Sequence, residues 1–281
     1  AGVMLLPLPD NSYELALIDK NYIAANTTSP KIAVVGGSNA AFGIDSAAMQ
    51  NSLHLPVVNM GCYAGVGLGR MLDNVSPFLH EGDILLVIPE YNNFTDGWNG
   101  GALAYEVIFD IRQTRLLRFA YYGLPNGFVG YLSMHLRGIV ARSIPSDLLT
   151  YTRDGFNEYG DYVKHLTMKP FSFSPDKNIG SLNTSSPNQS YLKYFYKFID
   201  DFTARGLTVV LSYPCYEEQS YRNSAALIQE LDKAFRAKEN LLVISRPQDY
   251  CFPASLFFDT TYHLNAEGRA LRTERLLNDL R

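Results

Sequence analysis

Five short aliphatic runs punctuate this chain: Ile32–Val35, Pro56–Val58, Ile84–Ile88, Leu207–Ser212 and Leu241–Ile244. Each is continuously apolar rather than alternating, the pattern of strands covered on both faces. The stretches between them have helical spacing. Asp45–Asn51 and Leu68–Leu79 separate the first three runs. Tyr191, Phe195, Phe198 and Phe202 recur at helical intervals up to a stop at Gly206, and Leu227, Ile228, Leu231 and Phe235 mark the next amphipathic face. From Asn265 to the end the chain reads as a last helix, with Asn265 as its cap and Glu267 in its first turn. Strands alternating with helices in this way predict an α/β protein, a flavodoxin-like doubly wound parallel sheet of about five strands.

The rhythm breaks between about residues 95 and 187. Leu103, Val107 and Ile111 suggest one helix and Leu132–Ala141 another, after which Gly, Asn, Ser and Pro dominate. The expected organisation is therefore one domain over 1–281, with a core of about 28–94 and 188–281 and a mostly helical insertion of about 95–187. Ligands in open α/β sheets bind at the carboxyl ends of the strands, so such an insertion would roof the site.

Composition narrows the function classes. With 47% hydrophobic and 19% charged residues the chain is globular in character, and a formal net charge of −4 without any Lys/Arg run argues against a nucleic-acid partner. Cys62, Cys215 and Cys251 are too few and too scattered for a disulfide framework, and none lies in a Cys-x-x-Cys pair, so no metal is expected. A pairing of Cys215 with Cys251 is left open by the sequence. No stretch reaches the ~18 apolar residues of a membrane span. The chain begins with Ala and a short apolar segment, Val3 to Pro9, and reads as a fragment whose natural start has been removed, compatible with a lost signal peptide or anchor.

Candidate chemistry gathers at the carboxyl ends of the predicted strands. Gly36-Gly37-Ser38-Asn39 follows the first run directly, so Ser38 sits where the backbone turns sharply towards a helix. A serine there is ordinarily a cap, and becomes a nucleophile only beside a base. Of the five histidines, His54 and His80 precede strands and lie at the wrong end of the sheet, while His135 and His165 belong to the insertion and would reach the site only from above. His263 follows the last strand region and opens the final helix, on the same face as Ser38. Asp259, four residues earlier, is placed to orient its imidazole. Glu90 and Tyr91 at the end of the third run, Tyr213 at the end of the fourth, and Asn157 in the insertion are further candidates for the cleft. Turn formation is the ordinary role of an Asn such as Asn157.

Gly37-Ser38-Asn39 resembles the first block of the Ser-Gly-Asn-His (GDSL-type) hydrolases, with one Gly and one Asn substituted into it. Asn59-Met60-Gly61-Cys62-Tyr63-Ala64-Gly65 resembles the second block, and Asp259 through Leu264-Asn265 the last. The resemblance implies Ser38 as nucleophile, His263 and Asp259 as its partners, and an oxyanion hole built from the backbone of Ser38 and of Gly65 (Gly61 being the other choice). Two departures stand out. The third block's Gly-x-Asn-Asp is replaced by Pro89-Glu90-Tyr91-Asn92-Asn93-Phe94, so Asn92 or Asn93 would have to supply the side-chain donor, and losing such a donor costs about 10²–10³ in rate. The Asp-to-His spacing is also one residue longer than usual.

This variant pattern is similar to an extracytoplasmic branch that includes alginate-acetylation proteins and the D-alanyl-transfer protein of teichoic acid synthesis. It implies a periplasmic or cell-surface serine esterase or acyltransferase without cofactor, acting on a small acyl ester or acylated carbohydrate beside a membrane-bound acyltransferase. The rival expectation is a non-catalytic glycan-binding or scaffold protein with a degenerate site. A phosphate binder fits less well, because neither the P-loop lysine nor the three-glycine fingerprint is present.

Overall fold

A computed structural model describes residues 10–109, 111, 127–133, 149–169, 180–182 and 184–281. Its central sheet contains five parallel strands: β1 (Ile32–Gly36), β2 (Val57–Asn59), β3 (Ile84–Ile88), β4 (Thr208–Leu211) and β6 (Leu242–Val243), in the order β2-β1-β3-β4-β6. Leaving aside the small sheet described below, this is the 2-1-3-4-5 order of flavodoxin-like folds, with β1 and β3 meeting at the point where the winding reverses. The register aligns Ile32 with both Val57 and Ile84, and Ile84 with Thr208.

The continuous apolar runs divide cleanly between the two faces. Ala33, Val35, Val58, Leu85, Val87, Val209 and Leu211 belong to one core cluster. There they meet Leu68, Leu72 and Val75 of α4 (Leu68–Val75), Leu192, Phe195 and Ile199 of α6 (Gln189–Ala204), and Leu227, Ile228 and Leu231 of α8 (Ala225–Arg236). Ile32, Val34, Val57, Leu86, Ile88 and Val210 form the other cluster, with Ala40 of α2 (Ser38–Gly43), Met49 of α3 (Ser46–Leu53) and Leu276 of α9 (Ala266–Asp279). Alternate residues of each strand serve opposite cores, so every position is apolar and the strand shows no polar face.

Local chemistry sets the helix limits. Asn188 caps α6 by accepting from Ser190 N, and Asn265 caps α9 by accepting from Gly268 N at 3.0 Å. The predicted Leu68–Leu79 helix is α-helical only to Val75 and tightens to a 3₁₀ turn over Ser76–Phe78, where Pro77 has no N–H to continue the ladder. Two strands, β5 (Tyr216–Glu217) and β7 (Cys251–Phe252), make a separate parallel pair that the sequence pattern did not announce. Cys215 and Cys251 are both free thiols; Cys215 Sγ lies 2.9 Å from Tyr262 O.

Part of the expected insertion is woven into the core. Of it, α5 (Ala102–Phe109), residues 128–133 and 3₁₀ turns at Arg153–Gly155 and Lys164–Thr167 are helical; most of Leu132–Ala141 lies outside the described residues. Residues 149–169 bind the sheet edge and α2 directly, through Asn59 N to Tyr159 O at 2.8 Å and Tyr162 N to Ala41 O at 2.8 Å. Asp161 is fully buried and accepts from Ser46 N, Ser46 Oγ, Asn59 Nδ2 and Arg269 Nη2. One carboxylate with four donors thus ties β2, α3 and α9 to this segment, which satisfies the buried charge.

Candidate active site

The turn after β1 places Ser38 at the first position of α2, and Ser38 is 9% exposed. Gly37 has an ordinary extended backbone, so left-handed geometry does not require a glycine there. Close approach does: a Cβ at Gly37 would collide with Glu90 Oε1 and come within 3.0 Å of Ala64 Cβ. From the opposite side Arg272 of α9, fully buried, donates to Asn39 O at 2.5 Å and to Asn39 Oδ1 at 3.1 Å, fixing the start of α2.

Asp259 and His263 occupy a tight loop closed by an antiparallel bridge between Phe257 and Leu264. Phe258 N donates to His263 O at 2.8 Å and His263 N to Thr260 Oγ1 at 3.2 Å, which folds the loop so that the two side chains face each other. His263 Nδ1 lies 2.8 Å from Asp259 Oδ1. The imidazole stacks on Phe42, with centroids 4.1 Å apart and planes 9° apart. Phe42 is one helical turn beyond Ser38, so α2 carries the serine and also the seat of the histidine. Burial pushes the Asp259 carboxyl up, but hydrogen bonds from His263 and Tyr151 outweigh it and hold the group below the ordinary carboxylate range.

Tyr151 is a participant that the sequence offered no signal for. Its hydroxyl donates to Asp259 Oδ2 and lies 3.3 Å from His263 Nδ1, while the ring remains 37% exposed at the mouth. His165 is a second. Far from overhanging the site, it is 2% exposed behind it, packed on Phe42 at 4.6 Å, with Nε2 3.0 Å from Leu264 O. Burial lowers its pKa to about 4, so the ring is neutral and donates through Nε2.

Glu90, 4% exposed, joins the two halves of the site. Its Oε1 lies 3.4 Å from both Asn39 N and Asn39 Nδ2, and burial raises its pKa above the usual carboxylate range, an effect that the charge of His263 and the Asn39 donors oppose. Glu90 and Asn39 therefore meet beside Ser38 at the start of α2, and Phe42 of the same helix stacks on His263. Gly65 lies in a 3₁₀ turn (Ala64–Val66) whose Ala64 packs beside Gly37. Gly61 N is already engaged by Asn59 Oδ1 at 2.9 Å.

No protein-family model and no curated protein matches the chain. Among solved structures, one described as that of "a putative platelet activating factor from Streptococcus pneumonia" is similar over 96% of this chain and 93% of its own, at 10% identity and a TM-score of 0.47.

The other sequence candidates have different places. Asn93 Oδ1 accepts Glu90 N at 2.9 Å, and its Nδ2 is buried without a partner; Asn92 Oδ1 is buried likewise. Tyr91 is 2% exposed, and Tyr213, 1% exposed, donates to Asp232 Oδ1 at 2.5 Å, so both rings lie in the interior. Asn157 Oδ1 accepts from Tyr159 N and Asp161 N, closing the turn that presents Asp161. Among the described residues no cluster of His, Cys, Asp and Glu has the makings of a metal site, and no helix is long and apolar enough to cross a membrane.

Proposed function

We propose that the chain is a serine esterase or acyltransferase with Ser38 as nucleophile. The observation that carries this reading is the Asp259–His263 pair, at 2.8 Å, stacked on the helix that begins with Ser38. Ser38 Oγ attacks the carbonyl carbon of an ester while its proton passes to His263 Nε2. Asp259 and Tyr151 hold the imidazole by its Nδ1 side, which fixes the tautomer and stabilises the imidazolium. The backbone N–H groups of Ser38 and Gly65 receive the oxyanion. Collapse releases the alcohol with the proton from His263, leaving an acyl group on Ser38. Water or an acceptor hydroxyl then attacks that acyl group, giving hydrolysis or transfer.

The proposed substrate is a small acyl ester on a carbohydrate at the cell surface, with a membrane-bound acyltransferase as partner. Support for that finer reading is the resemblance of the three sequence blocks, together with the half-exposed rings of Tyr63 and Tyr151 flanking the site, which suit the apolar face of a sugar. Binding without turnover is the second reading. It is favoured by Asn93, whose side-chain Nδ2 is buried without a hydrogen-bond partner.

Burst kinetics with p-nitrophenyl acetate, on the wild-type chain and on Ser38→Ala, separate the two. A burst with an acetyl adduct on Ser38, absent in the variant while its fold is unchanged, supports the enzyme. An intact, unacylated Ser38 in the wild-type chain supports binding only.

A further inference from the structure

Arg272 of α9 carries its charge into the core with no direct carboxylate partner among the described residues. Its guanidinium forks onto a single residue: Nη1 donates to Asn39 O at 2.5 Å and Nη2 to Asn39 Oδ1 at 3.1 Å. The other side of Asn39 is also engaged. Asn39 N and Nδ2 each donate to Glu90 Oε1 at 3.4 Å, and Nδ2 donates to Ile88 O at 3.3 Å. A neutral amide thus lies between a buried cation and a buried carboxylate. Apolar residues of similar volume often serve stability as well as buried charges do. What the fork adds is direction, because its planar donors fix where their acceptors stand. Gly43 leaves the space for it: a Cβ there would collide with Arg272 Nη1.

The residue so fixed is the one that follows Ser38. The peptide joining the two has its N–H on Glu90, and the next carbonyl is on Arg272. The same helix serves the other half of the site. His263 lies two residues before Asn265, the cap of α9, and stacks on Phe42. Arg269 Nε donates to Ile44 O at 2.7 Å, and Thr273 Oγ1 accepts from Asp45 N at 3.0 Å. Residues 263–273 therefore grip α2 at its first turn, at Phe42 and at its end. The contacts close a ring that runs from Ser38 through Asn39, Arg272 and α9 to His263, and back through Phe42 along α2. Loosening the Arg272–Asn39 link frees the serine end of α2 while Phe42 still seats His263.

We propose that Arg272 is a positioning residue for the nucleophile: its fork on Asn39, completed by Glu90 across the amide, sets where Ser38 stands relative to His263. This rests on the reading of Ser38 as nucleophile. Buried behind Asn39, Arg272 acts on the rate of acylation through geometry and leaves substrate binding alone. A misplacement of about 1 Å costs about 10²-fold in rate.

Two variants weaken the fork without removing its charge. Arg272→Lys offers a point charge in place of the planar fork, and Gly43→Ala drives a Cβ against Nη1. Urea titration establishes that each is folded. Acylation of Ser38 by p-nitrophenyl acetate is expected to slow at least about 10-fold in both, with KM within about 2-fold of the wild type. A change in rate below about 2-fold, or a loss carried by KM, overturns the proposal. Backbone hydrogen exchange reads the turn without turnover. Exchange at Asn39 N is expected to quicken at least about 10-fold in the variants while the amides of β3 stay as they are. An unchanged Asn39, or equal quickening in β3, marks either no hold on the turn or a general loosening of the fold, and overturns the proposal. Should Arg272→Lys fail to fold, Gly43→Ala decides both measurements. Should the wild-type chain itself not be acylated, the function proposed above falls, and the exchange rates still decide whether Arg272 fixes the serine turn.

Discussion

Tyr151→Phe removes one hydroxyl and leaves the ring. That hydroxyl bonds Asp259 Oδ2 and lies 3.3 Å from His263 Nδ1, so the substitution deprives the carboxylate of a side-chain donor. A hydrogen bond to a charged group contributes about 1.5–3 kcal/mol. Tyr151 is 37% exposed, so water replaces part of the loss and about 1–1.5 kcal/mol remains. If that bond orients the imidazole in the transition state, acylation of Ser38 slows about 5- to 12-fold. Global stability changes by less than about 1 kcal/mol, because the ring keeps its packing on Tyr13 and Phe42.

The pH dependence has a definite sign. Asp259 is depressed in the folded protein, so its stabilising contribution is present above the unfolded value of about 3.9 and is lost as pH falls through the folded value. Losing the Tyr151 donor moves the folded value upwards and shifts the acid limb of activity to higher pH. Burst kinetics across pH on Tyr151→Phe, Asp259→Asn and the double variant complete a thermodynamic cycle. The tyrosine acts through the carboxylate, so its removal in the Asp259→Asn background is expected to cost less than about 2-fold. A cost of 5-fold or more in both backgrounds refutes this account.

Two other predictions concern the layer behind the site. Phe42→Ala deletes a fully buried ring that contacts Tyr151, Tyr162, His165 and His263, and is expected to lower the unfolding free energy by about 3–5 kcal/mol in urea titrations; a loss below ~1 kcal/mol would mean that the stack does not seat the histidine. His165 is held near pKa 4 when folded against about 6.5 unfolded, so the unfolded chain binds the extra proton and stability falls as pH drops through that window. The cost reaches about 2 kcal/mol at pH 5. Thermal melts between pH 7 and 5 are expected to show a smaller decline for His165→Gln than for the wild type, and equal declines would contradict the assignment.

Much of this molecule is written locally. The aliphatic runs at Ile32, Ile84 and Thr208 read as buried parallel strands because helices on both faces leave no polar side to encode, and Asn188 and Asn265 announce their helices by capping them. Ser38 after paired glycines, and Asp259 four residues before His263, are legible for the same reason: a turn brings residues so close in sequence into reach. Contacts between distant residues have no such trace. Tyr151 meets Asp259 across 108 positions, Asp161 joins Ser46 and Arg269 across more than a hundred, and Glu90 reaches Asn39 only because β1 and β3 are neighbours in the sheet. The sequence by itself determined the strands, the caps and the Ser, Asp and His candidates, since these depend on spacing and local hydrogen bonding. Tertiary structure decided which buried carboxylate packs against Gly37 and Asn39, which tyrosine faces the aspartate and which histidine lies behind them, because packing of the sheet and its crossovers alone brings those side chains together.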